Sequence, residues 1–264
     1  MIKKLLIYNS GGGIGDSIQL FPLIHSLENL FQNSEIYYLG AHENHFLGKL
    51  KEYNINVKNL NLGLKYFGFR WWHLFVARKN FSKLKIDQFD LIIDCQSKIR
   101  NTIILKQIPS KAFYSSTFNN IFCSKLENSI DKFKSDLKKT DYDIKNIPKK
   151  YFDESIKLLP NKNYIGFSLT QGNVYRKKEW PLDKVIELSK ELVKYNKVPV
   201  FLLEKKYVEL KNKIKNSIPS ALFPEHESSL NSPALVTCLG LRLDLAITID
   251  NGIMHMLSLS KVPM

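Results

Sequence analysis

Three polar segments of the sequence carry the residue types needed for group transfer, and each follows a short apolar run. Segment 10–17 is rich in glycine and contains one carboxylate. Segment 170–181 contains three consecutive cations, and segment 250–256 begins with Asp-Asn-Gly and includes a histidine. Carboxylates and histidines act as general acids and bases, and cations stabilise negative charge on a leaving group. The three segments are therefore the first candidates for a site that acts on a phosphorylated substrate.

The glycine-rich segment fits neither of the common nucleotide-binding patterns. A dinucleotide fingerprint G-x-G-x-x-G that starts at Gly11 needs glycine at Asp16, and one that starts at Gly13 needs it at Ile18. A P-loop needs lysine where Asp16 stands, and a carboxylate there would repel a triphosphate. The helix dipole favours a carboxylate at this position, where it would accept a proton from an attacking hydroxyl as general base. The alternative is an aspartate that only caps the helix or lies in its first turn.

The cationic segment opens at Thr170, directly after an apolar run, and contains Arg176, Lys177 and Lys178. Ligands of open parallel sheets bind beyond the carboxyl ends of the strands, where this segment would lie. Cations at that place would neutralise a diphosphate and stabilise it as a leaving group. The alternative is a basic loop that is simply solvated.

The third segment places Asp250, Asn251 and Gly252 between a strand and a new helix. Glycine permits close approach of a ligand to the backbone, and the free N–H groups of a helix start attract anions. His255 lies in the same first turn and would face the same ligand, although a half-buried structural histidine is the alternative. A metal site is not indicated, because no second histidine or cysteine stands at ligand spacing.

The apolar pattern predicts two successive α/β halves. The predicted strands are residues 3–9, 35–39, 54–60, 89–95, 111–114, 164–169, 198–203 and 245–249. The predicted helices are residues 18–31, 182–195 and 207–217. The charged stretch 128–150 is expected to form a surface helix and a linker. We therefore predict two Rossmann-like domains that face a cleft, 1–150 and 151–264.

Composition limits the function classes. Lys plus Arg number 39 against 25 Asp plus Glu in the 264 residues, so the net charge is +14. Most of the excess is lysine, which indicates attraction to phosphates or acidic lipid headgroups rather than base recognition by arginine. The balance of 44% apolar and 24% charged residues excludes a wholly disordered chain. Nucleic-acid binding is disfavoured, because no module of that kind is recognisable.

The cellular location predicted from the sequence is the cytoplasm. The apolar run after the first lysines is too short for a signal peptide, and no run reaches the length of a membrane span. The three cysteines are scattered, which excludes a disulfide framework or a zinc site.

The stretch 65–81 combines seven aromatic residues with four cations. Such a mixture suits a bilayer interface, where amphipathic rings settle at the depth of the headgroups. The alternative is that these rings pack a helix against the sheet. A peripheral position on the cytoplasmic face of the inner membrane is therefore one of two interpretations.

Four motifs together resemble those of glycosyltransferase family 9, the bacterial heptosyltransferases of the lipopolysaccharide inner core. Gly15-Asp16 followed by Phe21-Pro22-Leu23 is similar to the "GD…P-L" start of that family, and residues 89–97 to its "YDlviDlQg" strand. Residues 178–181 resemble its "K-x-W-P", and residues 250–255 its "D-T/S-G-x-M/S-H". The motifs agree in order and separation over nearly the whole chain.

The resemblance implies a GT-B fold, with the acceptor in the first domain, a nucleotide-sugar in the second, inversion at the anomeric carbon, and neither metal nor cofactor. It makes Asp16 the catalytic base. The donor-binding residues it implies are Thr170, Lys178, Asp250, Asn251, Gly252 and His255. The acceptor-binding residues it implies are Gly13, Gly15 and Gln96.

Three positions depart from the family pattern. Asn251 replaces the usual Thr or Ser, and Glu204 is the nearest match to the acidic residue expected to hold ribose. Family members continue beyond the segment that corresponds to 261–264, so the second domain is expected to be short.

The function predicted on this basis is the transfer of a sugar, first of all heptose, from an ADP-sugar to a lipopolysaccharide core or related glycan. The expected acceptor is lipid-linked or a core oligosaccharide. The alternative is a catalytically inactive relative that binds a nucleotide or a glycan. An NAD-dependent dehydrogenase is disfavoured by the failed glycine fingerprint.

Overall fold

The computed structural model describes residues 2–42, 44–117, 140–170 and 179–264, which form two compact units. Unit 1 comprises Met1–Gly12, Gln19–Gly48 and Ile55–Tyr142, and unit 2 comprises Gly13–Ile18, Lys49–Asn54 and Asp143–Met264. Two short segments predicted to lie in the first domain thus pack with unit 2. Within unit 2, the Tyr53 hydroxyl lies 2.7 Å from Thr237 Oγ1 and ties the second of these segments in place. The predicted domain boundary after residue 150 stays a prediction.

Unit 1 contains a parallel five-stranded sheet in the order β3-β2-β1-β4-β5. Its strands are β1 (Lys4–Asn9), β2 (Glu35–Gly40), β3 (Lys58–Asn59), β4 (Phe89–Asp94) and β5 (Ser110–Ser115). The strands β1 and β4 are almost entirely buried, as expected for parallel strands covered on both faces. From β1 the chain adds β2 and β3 on one side of the sheet, and β4 and β5 on the other side. Ligands of such sheets bind at the carboxyl ends of the two strands where the order reverses, which here are β1 and β4.

Unit 2 contains a parallel three-stranded sheet in the order β7-β6-β8. Its strands are β6 (Tyr164–Ser168), β7 (Val198–Phe201) and β8 (Leu245–Thr248). The rings of Phe167, Phe201 and Phe223 stack in series at centroid distances of 5.1 and 5.5 Å, and these buried rings form the centre of the core.

The helices of the described residues are assigned to the units as follows. Unit 1 has α2 (Phe21–Leu30), α3 (His73–Phe81) and α4 (Ile99–Leu105). Unit 2 has α1 (Ile14–Ile18), α5 (Lys149–Leu158), α6 (Leu182–Lys194), α7 (Val208–Ser217), α8 (Pro224–Glu227), α9 (Pro233–Gly240) and α10 (Gly252–Leu259). None of the helices in the described ranges is long and apolar enough to span a bilayer.

Most of the predicted elements are confirmed, and the differences have local causes. The predicted helix 18–31 begins at Ile14, pauses at residues 19–20 and resumes at Phe21, where Pro22 fits a first turn that needs no N–H donor. The predicted strand 54–60 is wrong over most of its length, because Asn54 adopts a left-handed conformation (φ 53°) and only Lys58–Asn59 pair with β2. Much of the predicted surface helix and linker, residues 128–139, lies outside the described residues.

The aromatic stretch 65–81 is buried at some positions and exposed at others. In α3, His73, Ala77 and Phe81 recur at four-residue spacing and are buried, two of them in the main core of unit 1. In contrast, Tyr66, Trp71, Trp72 and Phe75 are 53–80% exposed, and we call these four residues the aromatic patch. Packing therefore uses only one face of the stretch and leaves large rings in solvent.

Candidate functional site

The turn that carries Asp16 is stabilised by a hydrogen bond between its own backbone and the Asp16 side chain. The Gly13 N–H donates to Asp16 Oδ2 at 2.9 Å, so the carboxylate is tied to the loop that precedes α1. The Asp16 side chain is nevertheless exposed, in the first turn of the helix. A carboxylate that is held in place and open to solvent is able to accept a proton from an incoming hydroxyl.

The start of α10 is organised by Asn251. Its Oδ1 accepts from the Met254 N–H at 3.0 Å, which is the bond of a helix N-cap. Its Nδ2 donates to Ser168 Oγ at 2.7 Å and to the Thr170 carbonyl at 2.8 Å. One side chain thus joins the end of β6 to the first turn of α10. A threonine or serine here would form the cap but has no amide to make both other bonds.

Close packing brings the two sequence-distant turns together within unit 2. A Cβ atom placed on Gly15 would overlap the imidazole ring of His255. Glycine is therefore the only residue that lets the backbone of α1 lie directly against this ring. As a result, the turn that carries Asp16 packs against the first turn of α10, which carries His255. These two motifs are more than 230 residues apart in the sequence, as the positions 16 and 255 show.

A carboxyl group that the sequence analysis missed lies beyond the end of β7. Glu225, in α8, accepts a hydrogen bond from the backbone N–H of Leu203, and its Oε1 is buried without a hydrogen-bond partner. Burial, together with the nearby charge of Glu204, raises the pKa of Glu225 to about 7. Glu204 itself is exposed and lies 3.0 Å from the Lys206 ammonium. The sequence analysis considered only Glu204, the acidic residue directly after the predicted strand 198–203. Glu225, 21 residues later, is a second acidic residue near it.

The remaining predicted site residues have different surroundings. Lys178 lies outside the described residues. Gln96, predicted to bind the acceptor, donates from Nε2 to Asp94 Oδ1 at 2.9 Å and to Thr102 Oγ1 at 3.0 Å. Its amide is therefore engaged within unit 1, and its acceptor role stays a prediction. Asp250 is exposed at the turn before α10, and Gly252 opens that helix.

Gln96 belongs to a buried polar cluster at the carboxyl end of β4. Asp94 is 1% exposed and accepts from Thr102 Oγ1 at 2.6 Å and from Ser115 Oγ at 2.8 Å. Burial raises the pKa of Asp94 above its usual range, although these hydrogen bonds act in the opposite direction. The cluster joins β4, α4 and β5 through these hydrogen bonds.

A cavity of about 620 Å³ opens in unit 1 at the carboxyl ends of β2 and β3. It is of the size that small-molecule sites usually have. We call it the β2–β3 cavity. Its lining residues are Gly12, Leu39, Gly40, Ala41, His42, Asn44, His45, Asn59, Leu60, Asn61, Leu62, Leu64, Lys65 and Tyr66. The sequence analysis did not select any of them as a ligand residue. The polar run His-Glu-Asn-His, which begins two residues after the end of β2, was the available signal.

Among the described residues, no group of three His, Cys, Asp or Glu side chains is arranged so that it could hold a metal ion.

No protein-family model and no curated protein matches the chain. Solved structures with a similar fold are found. The structure is similar to a glycosyl transferase family 9 protein from Veillonella parvula DSM 2008, with a TM-score of 0.64 and 18% identity over 99% of this chain and 80% of that one.

Two further solved structures are similar over almost the full length. One is the Escherichia coli heptosyltransferase WaaC with ADP-2-deoxy-2-fluoro heptose, with a TM-score of 0.61 and 13% identity over 98% of this chain and 87% of that one. The other is a UDP-GlcNAc 2-epimerase from Methanocaldococcus jannaschii, with a TM-score of 0.56 and 13% identity over 100% of this chain and 82% of that one. The resemblance to glycosyltransferase family 9 is thus confirmed at the level of the fold: the chain is an α/β protein with parallel sheets, of the GT-B type.

Proposed function

We propose that the protein is an inverting, metal-independent glycosyltransferase that moves a sugar, heptose as first choice, from an ADP-sugar to a lipopolysaccharide core or related glycan. The observation that carries the proposal is the packing of Gly15 against His255. This contact places the carboxylate turn beside a helix start suited to a diphosphate. A general base and an anion site held within one packed unit are what glycosyl transfer from a nucleotide-sugar requires.

Asp16 is the base of the proposed reaction. It takes the proton of an acceptor hydroxyl while that oxygen forms a bond to the anomeric carbon of the donor. The bond from the anomeric carbon to the β-phosphate oxygen breaks on the opposite face, so the configuration inverts and ADP leaves. The bond from the Gly13 N–H keeps the Asp16 carboxylate oriented during this step.

The first turn of α10 and Lys178 receive the leaving diphosphate. Asn251 uses its side chain to cap the helix, and Gly252 lets phosphate oxygens approach the backbone N–H groups. The positive charge of Lys178 would stabilise the charge that develops on the β-phosphate without a metal ion. Glu225 and Glu204 are the candidates to accept hydrogen bonds from the ribose hydroxyls.

A lipid-linked acceptor and a peripheral position at the inner membrane complete the proposal. The aromatic patch supports both, because it exposes large rings next to Arg70, Arg78 and Lys79, which are exposed as well. Amphipathic rings and cations together suit an anionic membrane surface.

Thermal unfolding in the presence of ADP, UDP, GDP or NAD tests the donor site. A nucleotide at about 100 times its dissociation constant should stabilise the fold by about 2.7 kcal/mol. We expect ADP to stabilise the protein most, and Lys178→Ala to reduce the effect while Lys190→Ala, a change at an exposed lysine of α6, leaves it intact. Preference for UDP would favour epimerase-like or other sugar chemistry, preference for NAD a dehydrogenase, and no stabilisation by any nucleotide would contradict the donor site.

Turnover separates an enzyme from an inactive binding relative. Release of ADP from ADP-heptose in the presence of a core oligosaccharide should fall about 10²- to 10⁴-fold in Asp16→Asn, because a general base contributes that much. Stabilisation by ADP should persist in this variant. Asp183→Asn removes another first-turn aspartate of unit 2 and should leave turnover unchanged. Equal turnover in both variants would exclude Asp16 as the base.

A further inference from the structure

The loop 66–72, which we call the aromatic loop, carries three of the four residues of the aromatic patch and has a strained backbone. Tyr66 has φ 53°, which is rare for a bulky residue, and Gly68 has φ 85°. A Cβ atom on Gly68 would lie 2.6 Å from the Tyr8 hydroxyl, so only glycine fits at this position. Such a conformation persists only where the surrounding structure holds it.

Three hydrogen bonds hold the aromatic loop on β1, α4 and α3. The Tyr8 hydroxyl donates to the Phe67 carbonyl at 2.8 Å. Arg100 Nε donates to the Gly68 carbonyl at 2.9 Å, and the Gly68 N–H donates to His73 Nδ1 at 3.1 Å. The hydroxyl and the guanidinium keep their hydrogens at neutral and acidic pH, whereas an imidazole nitrogen accepts only while it carries no proton. The third bond is therefore the one that a proton breaks.

His73 is held as a neutral imidazole in the interior of unit 1. It is 0% exposed, its ring stacks on Phe67 at a centroid distance of 6.1 Å, and the ring of Trp72 meets it edge-on at 4.2 Å. Because Nδ1 accepts from Gly68, the hydrogen of the neutral ring is on Nε2, which is buried without a hydrogen-bond partner among the described residues. An imidazolium at this place would meet a donor at Nδ1 and find no acceptor at Nε2.

The charges that act on His73 are positive. Burial lowers the pKa of His73 below its ordinary value of 6.5, and the guanidinium groups of Arg70, in the aromatic loop, and Arg100, in α4, lower this pKa further. His73 is also the first residue of α3, where the positive end of the helix dipole lies. The hydroxyl of Tyr8, on β1, supplies no negative charge, because burial raises its pKa.

We infer that His73 is a pH-sensitive clasp of the aromatic loop: a proton on Nδ1 breaks the bond from the Gly68 N–H and frees the loop with Trp71 and Trp72. The open loop takes up this proton more readily than the closed loop, because the ring is then in solvent. The closed loop is therefore fully stable above pH 6.5 and loses stability as the pH falls below that value. This inference does not depend on the reaction that the protein catalyses.

Hydrogen exchange of single backbone amides, followed by NMR on the whole chain at pH 7.5 and pH 5.5, tests the clasp. Divided by the intrinsic rate of a free amide, the exchange rate of the Gly68 N–H measures the fraction of open loop. This fraction should rise by up to about tenfold at pH 5.5, because the imidazole of the open loop is mostly protonated there. The amide of Ile92, in the central strand β4, reports on unfolding of the whole unit and should show no such rise.

Two variants separate His73 from His42, a second histidine that contacts the aromatic loop. His42 is exposed, and its ring meets the ring of Tyr66 edge-on at 5.0 Å. His73→Asn keeps a side-chain acceptor that does not titrate and should abolish the rise, whereas His42→Asn should retain it.

The inference is overturned if the open fraction at Gly68 is the same at both pH values, if the rise persists in His73→Asn, or if it is lost in His42→Asn. An equal rise at Ile92 would also overturn it, because the whole unit would then open rather than the loop. The comparison of Gly68 with Ile92 in the wild type needs no variant, so it decides the question even if His73→Asn does not fold.

Discussion

At Gly15 the backbone of α1 lies directly against the imidazole of His255, with no space for even one methyl group. In Gly15→Ala the new methyl must displace the ring or the helix. Overpacking of this kind costs about 1–3 kcal/mol of the free energy of unfolding. Urea unfolding measures the loss. When His255 is already alanine, adding Gly15→Ala should cost much less free energy of unfolding, because the ring that the new methyl overlaps is absent.

Gly13→Ala is the matched control for this prediction. A Cβ atom on Gly13 would meet only Asp16 Oδ2 at 3.2 Å and Gly15 N at 4.0 Å, so the exposed loop can adjust. Equal losses in Gly13→Ala and Gly15→Ala, or a loss that persists without the His255 ring, would show that the contact is not the cause.

The carboxyl of Glu225 makes stability depend on pH. Its pKa is raised from 4.5 to about 7 in the folded protein, so the unfolded chain releases this proton earlier as the pH rises. The ionisation of Glu225 therefore does not affect the free energy of unfolding below pH 4.5. It lowers this free energy progressively between pH 4.5 and 7, and the reduction is complete above pH 7. By linkage the cost is about 3 kcal/mol at most.

Glu225→Gln should remove this dependence. The variant should gain free energy of unfolding relative to the wild type at pH 8 and gain little at pH 4.5, as measured by urea unfolding at both values. Glu227→Gln, a change at the exposed end of α8, should show no such difference. A gain of the same size at both pH values would contradict the assignment of the titration to Glu225.

The junction between β6 and α10 depends on one side chain, Asn251. Asn251→Ser keeps the N-cap acceptor but loses the donors to Ser168 and to the Thr170 carbonyl, which should cost about 1–3 kcal/mol. Asn251→Ala also loses the cap, which should cost about 1 kcal/mol more. Urea unfolding of the two variants gives both values, and an equal loss in the two would mean that the cap contributes nothing.

For the molecule as a whole, the aromatic patch predicts attraction to anionic membranes. The triple variant Trp71→Ser/Trp72→Ser/Phe75→Ser should lose co-sedimentation with vesicles of phosphatidylglycerol and phosphatidylcholine. Wild-type binding should weaken as salt is added, because exposed cations contribute to it.

A second triple variant controls for exposed apolar surface in general. Leu47→Ser/Tyr195→Ser/Val208→Ser changes residues that are also more than half exposed but lie outside the patch, and it should bind vesicles like the wild type. Vesicle binding that is unchanged in the patch variant would exclude the patch as the membrane contact.

The sequence by itself determined the α/β class, seven of the eight strands almost to their ends, and the two turns that carry Asp16 and His255. It could do so because buried parallel strands are continuous apolar runs, and because glycine and Asx residues mark the turns that follow them. It failed at β3, where only two residues pair. So short a strand leaves no periodic pattern.

Only the tertiary structure decided which distant groups share surroundings. The contact of Gly15 with His255, the raised pKa of Glu225 and the unpaired Nε2 of His73 all depend on packing between residues far apart in the chain. Local sequence patterns contain no information on such distances or on the loss of solvent. The stretch 65–81 shows the same limit. Its composition suited either a bilayer interface or packing of a helix against the sheet, and the folded chain buries one side of α3 and leaves the four rings of the aromatic patch exposed.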